Sequence, residues 1–140
     1  MARRNNAQIM MVNDVLNLRD DLQQVKVKPM TNEQTRKYIG LMLSINRICG
    51  EFEEEKDVVI RECAKDRGIE IASMTKEQGD ELMKAANPAL FDCITKEVDI
   101  DTRIFKWDEL YDSILGNPEN SSVITKTKTN LAELLCSEDV

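Results

Sequence analysis

Residues 30–66 read MTNEQTRKYIGLMLSINRICGEFEEEKDVVIRECAKD, and the fold turns on reading this run as one helix. Its opening, Met30-Thr31-Asn32-Glu33-Gln34, sets a Gln three residues after a Thr. That is the sequence form of a capping box, in which the Thr hydroxyl accepts from the backbone N–H three residues on and the Gln side chain reaches back to the Thr N–H. Tyr38, Met42, Ile45, Cys49, Phe52, Lys56, Val59 and Cys63 then follow in steps of four and three, a heptad-like stripe broken once, at Lys56. Gly40 and Gly50 weaken the helix locally, and Asp66-Arg67-Gly68 ends it with Gly at the C′ position. At 1.5 Å per residue the helix is roughly 50 Å long.

Upstream, residues 5–24 read as an amphipathic helix, with Met11, Val15, Leu18 and Leu22 as its stripe and Ile9, Val12 and Leu16 broadening it. It reaches along only about the first 30 Å of the long helix. The length beyond Glu51 therefore needs another partner, in the chain or in a second subunit. Between the two helices, Val25-Lys26-Val27-Lys28-Pro29 is extended or turning, since Pro29 pushes Lys28 out of the helical region.

Downstream, Met74-Thr75-Lys76-Glu77-Gln78 repeats the capping box and opens a helix expected over 76–86, stopped by Asn87-Pro88. A shift of 44 residues aligns the two boxes but not the apolar patterns behind them, so the repeat is two uses of one cap and not a duplication. Residues 94–104 alternate: Ile94, Val98, Ile100 and Ile104 against Glu97, Asp99, Asp101 and Arg103. That is a half-buried strand, and a lone strand needs a partner. Three candidates are the 25–28 stretch, the 123–129 segment and the same strand of another subunit. Residues 107–115 read as a short helix presenting Trp107, Leu110, Tyr111 and Ile114. The Thr/Val/Ile-rich 123–129 segment reads as an exposed edge strand, and Asn130 as the cap of a last helix. The expected class is mainly α with a small β element (α+β). A long antiparallel helical hairpin over 5–66 precedes a short strand-containing part over 67–140, all in a single domain of 1–140.

An apolar fraction of 41%, a charged fraction of 32%, three Pro and five Gly fit one helix-rich globular domain. No apolar run approaches the roughly 20 residues needed to cross a bilayer. The Met-Ala-Arg-Arg start has no apolar block behind it, so a secretory signal is not expected. Cys49, Cys63, Cys93 and Cys136 form no CxxC pair, and histidine is absent. That disfavours zinc and a disulfide framework, and leaves buried free thiols. The net charge of −7 is uneven: +4 over residues 1–50, −10 over 51–120 and −1 over 121–140. A basic end and an acidic middle attract each other within one molecule or between neighbours, or both are solvated surfaces. Nucleic acid is not an expected partner, since phosphate contact needs a concentrated basic face.

Missing histidine excludes Ser–His and Cys–His nucleophiles, and there is no P-loop, GxGxxG or HExxH. The row Glu97, Asp99 and Asp101 offers hard-cation ligands on one strand face, but its members stand roughly 6–7 Å apart, too far to share one ion unaided. The run Glu51-Phe52-Glu53-Glu54-Glu55-Lys56-Asp57 is either a site for a cation or basic partner, or a solvated face with Phe52 inward. Phe105, Trp107 and Tyr111 are a recognition patch or core builders. Lys26 and Lys28 share a face and are candidates for a phosphate or acidic-partner contact, against a plain solvated turn.

The amphipathic helix, the Lys26-x-Lys28-Pro29 turn and the Glu/Lys-rich helix from Glu51 to Lys65 form one pattern. Glu97-Val98-Asp99-Ile100-Asp101, Ile104, Asp108-Glu109-Leu110 and the Leu-rich C-terminus form a second. Together they resemble small uncharacterised proteins encoded by tailed bacteriophages, departing from them over 67–93, where the second capping box and Asn87-Pro88 read as an insertion. The resemblance carries over no catalytic residues and no cofactor. It implies a non-enzymatic phage-type protein in the host bacterial cytoplasm or the virion, working by binding or assembly with itself or other phage proteins. The expected role is an oligomerising virion or assembly component. The alternative is a sponge for a defence nucleotide, using Lys26, Lys28 and Trp107.

Overall fold

Strand β1 (Ala7–Met11) and strand β2 (Glu97–Asp101) pair antiparallel, Ile9 opposite Asp99 and Met11 opposite Glu97. They come from a computed structural model that describes residues 7–138. Residues 1–6, which include the arginine pair and the first two residues of the predicted 5–24 helix, and residues 139–140 lie outside them. The remaining elements are helix α1 (Val12–Gln23), helix α2 (Asn32–Asp66), a short 3-10 turn (Ile71–Ser73), helix α3 (Lys76–Ile94), helix α4 (Trp107–Leu110) with a π turn (Tyr111–Leu115), a 3-10 turn (Pro118–Asn120) and helix α5 (Thr125–Leu135). The chain is mainly helical with one small antiparallel sheet, as expected.

The β1 pairing corrects the 5–24 helix: residues 7–11 are strand. A short apolar run such as Ile9-Met10-Met11-Val12 suits either period, and the unpaired ladder of β2 settles it. Met10 and Ile100 are buried on the inner face, while Ile9 and Met11 stand exposed beside the acidic row. Within the chain, neither the 25–28 stretch nor the 123–129 segment expected to pair with the 94–104 strand does so; β1 takes that place. The strand is also shorter, because Ile94 closes α3 and Thr102 leaves the ladder. Thr102 is fully buried, accepts from the Gln8 side-chain amide and donates to the Leu134 carbonyl at 2.8 Å, so it ties β1, β2 and α5 together.

Both capping boxes form: the Thr31 and Thr75 hydroxyls accept from the Gln34 and Gln78 N–H groups at 3.3 and 3.2 Å. At the far end of α2, Gly68 takes φ +65°, while Ile69 N–H reaches the Ala64 carbonyl and Gly68 N–H the Lys65 carbonyl. This is a Schellman closure with its apolar clasp, Ile69 against Ala64. Helix α1 lies antiparallel to the first half of α2: Arg19 sits beside Cys49, and Val12 N–H bonds the Lys96 carbonyl while Lys96 Nζ pairs Glu55 at 3.2 Å. Val15, Leu18, Leu22, Leu41, Ile45 and Ile48 fill that seam.

Helix α3 packs along the second half of α2 and supplies the partner that α2 lacked. It does not stop at Asn87-Pro88 but runs to Ile94 with Pro88 inside. The missing proline N–H costs about 3 kcal/mol in an average helix. Here Lys84 and Pro88 are exposed, so water serves the freed carbonyl, and the later turns bring Leu90 and Ile94 against α2. The 123–129 segment is likewise no edge strand: α5 begins at Thr125, and Asn130 lies inside it. Thr127, Leu131 and Leu135 fall four apart and are all buried, so packing overrides the β preference of threonine.

At Gly116 the backbone N–H bonds the Tyr111 carbonyl at 2.7 Å, closing the π turn, and a Cβ there would stand 2.4 Å from the Tyr111 ring. Gly116→Ala is expected to push Tyr111 off Trp107, whose ring centroid lies 6.2 Å away. Stability should fall by about 1 kcal/mol, and Trp107 fluorescence should shift in the native state. Unchanged emission and an unchanged denaturation midpoint would refute this.

Candidate functional site

Three surfaces stand out. The first is a polar cleft of about 430 Å3 where the first turns of α2 face the segment after β2. Glu33, Lys37, Asp101, Arg103, Lys106 and Glu109 line it, three cations interleaved with three carboxylates. Glu109 is held on both oxygens, by the Gln34 amide and by Lys106 N–H at 2.9 Å. The same Gln34 closes the capping box through its carbonyl, 3.1 Å from Thr31 N. Interleaved charges neutralise one another and focus no single-sign field on a ligand. The cleft reads as a fastening between α2 and the C-terminal part.

The second surface is the arm formed by α3 and the α2 turns beyond Phe52. Among the described residues Ala64, Ile69 and Leu82 form a small separate buried core there, with Ile60 and Cys63 beside them, and Ala86 of α3 is buried as well. A two-helix layer buries one seam and leaves both flanks in water. One flank is a groove lined by Phe52, Met83, Leu90, Phe91 and Ile94 that continues through Ile60, Ile71 and Met74 towards the tip. Phe91 is 61% exposed, and Met83, Ile71 and Met74 are exposed with it. The other flank is a groove over Val58, Val59 and Cys93 rimmed by Glu51, Glu54 and Glu55. The run 51–57 therefore does face solvent, and Phe52 turns partly inward.

The third surface is the basic end. The linker between α1 and α2 is extended, and two buried amides hold it from across the chain. Asn120 Oδ1 accepts Lys26 N–H at 2.7 Å, and Asn120 Nδ2 donates to the Lys26 and Ile114 carbonyls at 2.8 and 2.9 Å. Asn117 Nδ2 adds bonds to the Lys26 and Ser113 carbonyls, and Lys28 N–H bonds the Ser113 carbonyl. With its backbone spent inwards, the linker turns the Lys26 and Lys28 side chains out, while Val25 and Val27 are half-buried. Thr127 Oγ lies 3.4 Å from Gln24 Oε1, bringing Lys126 and Lys128 of α5 to the same end.

The remaining sequence candidates are spread out. Phe105 is fully buried, with the Tyr38 ring 6.3 Å away, so it builds core. Trp107 is half-buried and Tyr111 half-exposed on the π turn. Lys26, Lys28, Trp107 and Tyr111 line none of the clefts described above. Glu97, Asp99 and Asp101 share one exposed face, and among the described residues no group of three acidic or thiol side chains converges to hold a metal. All four cysteines are free, but only Cys49 and Cys136 are buried, Cys63 and Cys93 being half-buried. Burial pushes the Cys49 and Cys93 thiols up, away from the reactive thiolate. Sequence reasoning missed Asn117 and Asn120, which have no local signature, and the exposed place of Phe91 on a helix, which follows from the continuation of α3 past Pro88.

Among the described residues no helix is long and apolar enough to cross a membrane. Comparison with protein-family models, curated proteins and solved structures finds no match to this chain.

Proposed function

We propose that the protein acts by binding and not by chemistry, and that its first partner is a second copy of itself, joined arm to arm. The exposed apolar strip of Phe91, Met83, Ile71 and Met74 carries this reading. An apolar flank on a two-helix layer is stabilised by a further helical layer, and two arms side by side make a four-helix bundle. The walls of the strip carry both signs of charge, Asp57 beside Lys56 and Arg61, so a two-fold pairing does not oppose charges of one sign alone. The setting we propose is the one the sequence resemblance implies, an assembly or virion component of a tailed phage. Nothing comparable supports the nucleotide-sponge alternative, whose residues line none of the clefts described above.

The expected result is the mass of two chains by light scattering at tens of micromolar in 1 M NaCl, where exposed charge pairs are screened and an apolar contact is not. In the same 1 M NaCl, Phe91→Asp with Met83→Asp should return one chain with unchanged helical circular dichroism, since both side chains are exposed in the protomer. Losing a buried Phe contact and introducing charge should weaken the dimer by at least about 3 kcal/mol, or roughly 100-fold in Kd. A wild-type chain that is monomeric at these concentrations overturns the reading.

A further inference from the structure

The basic end and the acidic flank of the arm carry opposite charge, and among the described residues the four lysines of the one and Glu54 of the other make no ion pair. Residues 22–32 and 120–132 contain Lys26, Lys28, Lys126 and Lys128 and no carboxylate; Asp21, Glu33, Glu119 and Glu133 border them in the chain. None of the four lysines makes an ion pair among the described residues. Beside them Ile124, at the start of α5, is 62% exposed. The opposite flank of the arm has the matching character. Its floor is Val58, Val59 and Cys93 and its rim is Glu51, Glu54 and Glu55. Residues 51–94 as a whole hold twelve Asp/Glu against six Lys/Arg. Glu51 pairs Arg47 at 3.7 Å and Glu55 pairs Lys96 at 3.2 Å, both in solvent, while Glu54 makes no ion pair among the described residues.

The two surfaces sit at opposite ends of α1. Its first residue, Val12, bonds Lys96, which pairs Glu55 of the groove; Gln24, just past its end, lies against Thr127 of the basic end. Twelve residues of helix separate them by roughly 18 Å, farther than a lysine side chain spans. The attraction between them is thus available only to another copy.

We propose that the basic end of one molecule, with Ile124 at its centre, docks head to tail into the Glu51–Glu54–Val58 groove of the next. Such a contact is heterologous, and a repeated heterologous contact builds a ring or a filament. It uses the flank of the arm that the arm-to-arm pairing leaves open, so it does not depend on that pairing. Together the two contacts would link dimers into larger assemblies.

The test is light scattering on purified full chains at low salt. Wild type should exceed the mass of a dimer in 0.1 M NaCl and fall back towards it in 1 M, as the screening length drops from about 10 to about 3 Å. Lys26→Glu/Lys126→Glu and Glu51→Lys/Glu54→Lys should each abolish the species above the dimer. Mixed in equal amounts, these two variants should form large species again, because one keeps an intact groove and the other an intact basic end. The chain carrying only Phe91→Asp/Met83→Asp should still form salt-sensitive chains. The proposal is overturned if wild type stops at the dimer in 0.1 M NaCl, if either charge variant still assembles beyond it, or if the mixture does not. Any of these with the arm dimer intact leaves the self-association reading standing. Loss of the arm dimer with salt-sensitive chains retained overturns that reading alone.

Discussion

Asn120→Ala is expected to remove about 3 kcal/mol of folding stability. The side chain is 1% exposed and saturates three main-chain groups: Lys26 N–H, the Lys26 carbonyl and the Ile114 carbonyl. Alanine leaves them without this partner, at about 1–3 kcal/mol for each buried group left unsatisfied. Asn117 still serves two of them, the Lys26 carbonyl through its side chain and the Ile114 carbonyl through its N–H, both at 3.2 Å, so Lys26 N–H bears most of the loss. A typical domain has only about 5–15 kcal/mol in all, so the melting midpoint should fall by roughly 10 °C. Asn120→Asp is the informative companion: it keeps the shape and the acceptor but loses both donated bonds and buries a charge, so it should be no better than alanine at neutral pH. Denaturant titration followed by circular dichroism gives both values, and a loss under 1 kcal/mol for alanine would show that the linker is not held as described.

Phe105→Ala is expected to cost about as much, 3–5 kcal/mol, for a different reason. The ring is completely buried against Tyr38 and the α4–α5 layer. Truncation loses its transfer energy and leaves a cavity that the surroundings fill only in part. The backbone of Phe105 is bonded on both sides, N–H to Leu135 and carbonyl to the Ser137 N–H and hydroxyl, so the chain cannot collapse into the space easily. Tyr111→Ala, half-exposed on the same C-terminal part, should cost less than about 1 kcal/mol. Equal losses for the two would refute this division of the aromatic set into core and surface.

That division marks how far the candidate site was legible in the sequence. Alternation in Val25–Lys28 and in Glu97–Asp101 sorted inward from outward side chains correctly, because period 2 depends only on neighbours. The same alternation could not say what lies beneath. Phe105, Trp107 and Tyr111 form one aromatic group by sequence, yet only Trp107 and Tyr111 touch, and Phe105 belongs to the core. The unfilled flank of the arm was foreshadowed by the excess length of α2, but Leu90, Phe91 and Ile94 join it only because α3 runs on past Pro88, where the sequence reading stopped the helix.

What the sequence by itself determined are the features whose causes lie within a few residues. The two capping boxes, the Gly68 closure, the seam spacing of α1 and α2 and the two faces of β2 all follow from contacts at most a turn or a strand step away. Tertiary structure alone decided the rest. Residues 7–11 are strand because β2, some 90 residues on, offers a ladder. The stretch after Ile124 is helix because one face of it, Thr127, Leu131 and Leu135, is needed in the core. The helix α3 crosses Pro88 because α2 rewards the turns beyond it, and the Lys26 linker is extended because Asn120 saturates its backbone. In each case the local preference is worth about 1–3 kcal/mol, and burial and hydrogen bonds to distant partners outweigh it.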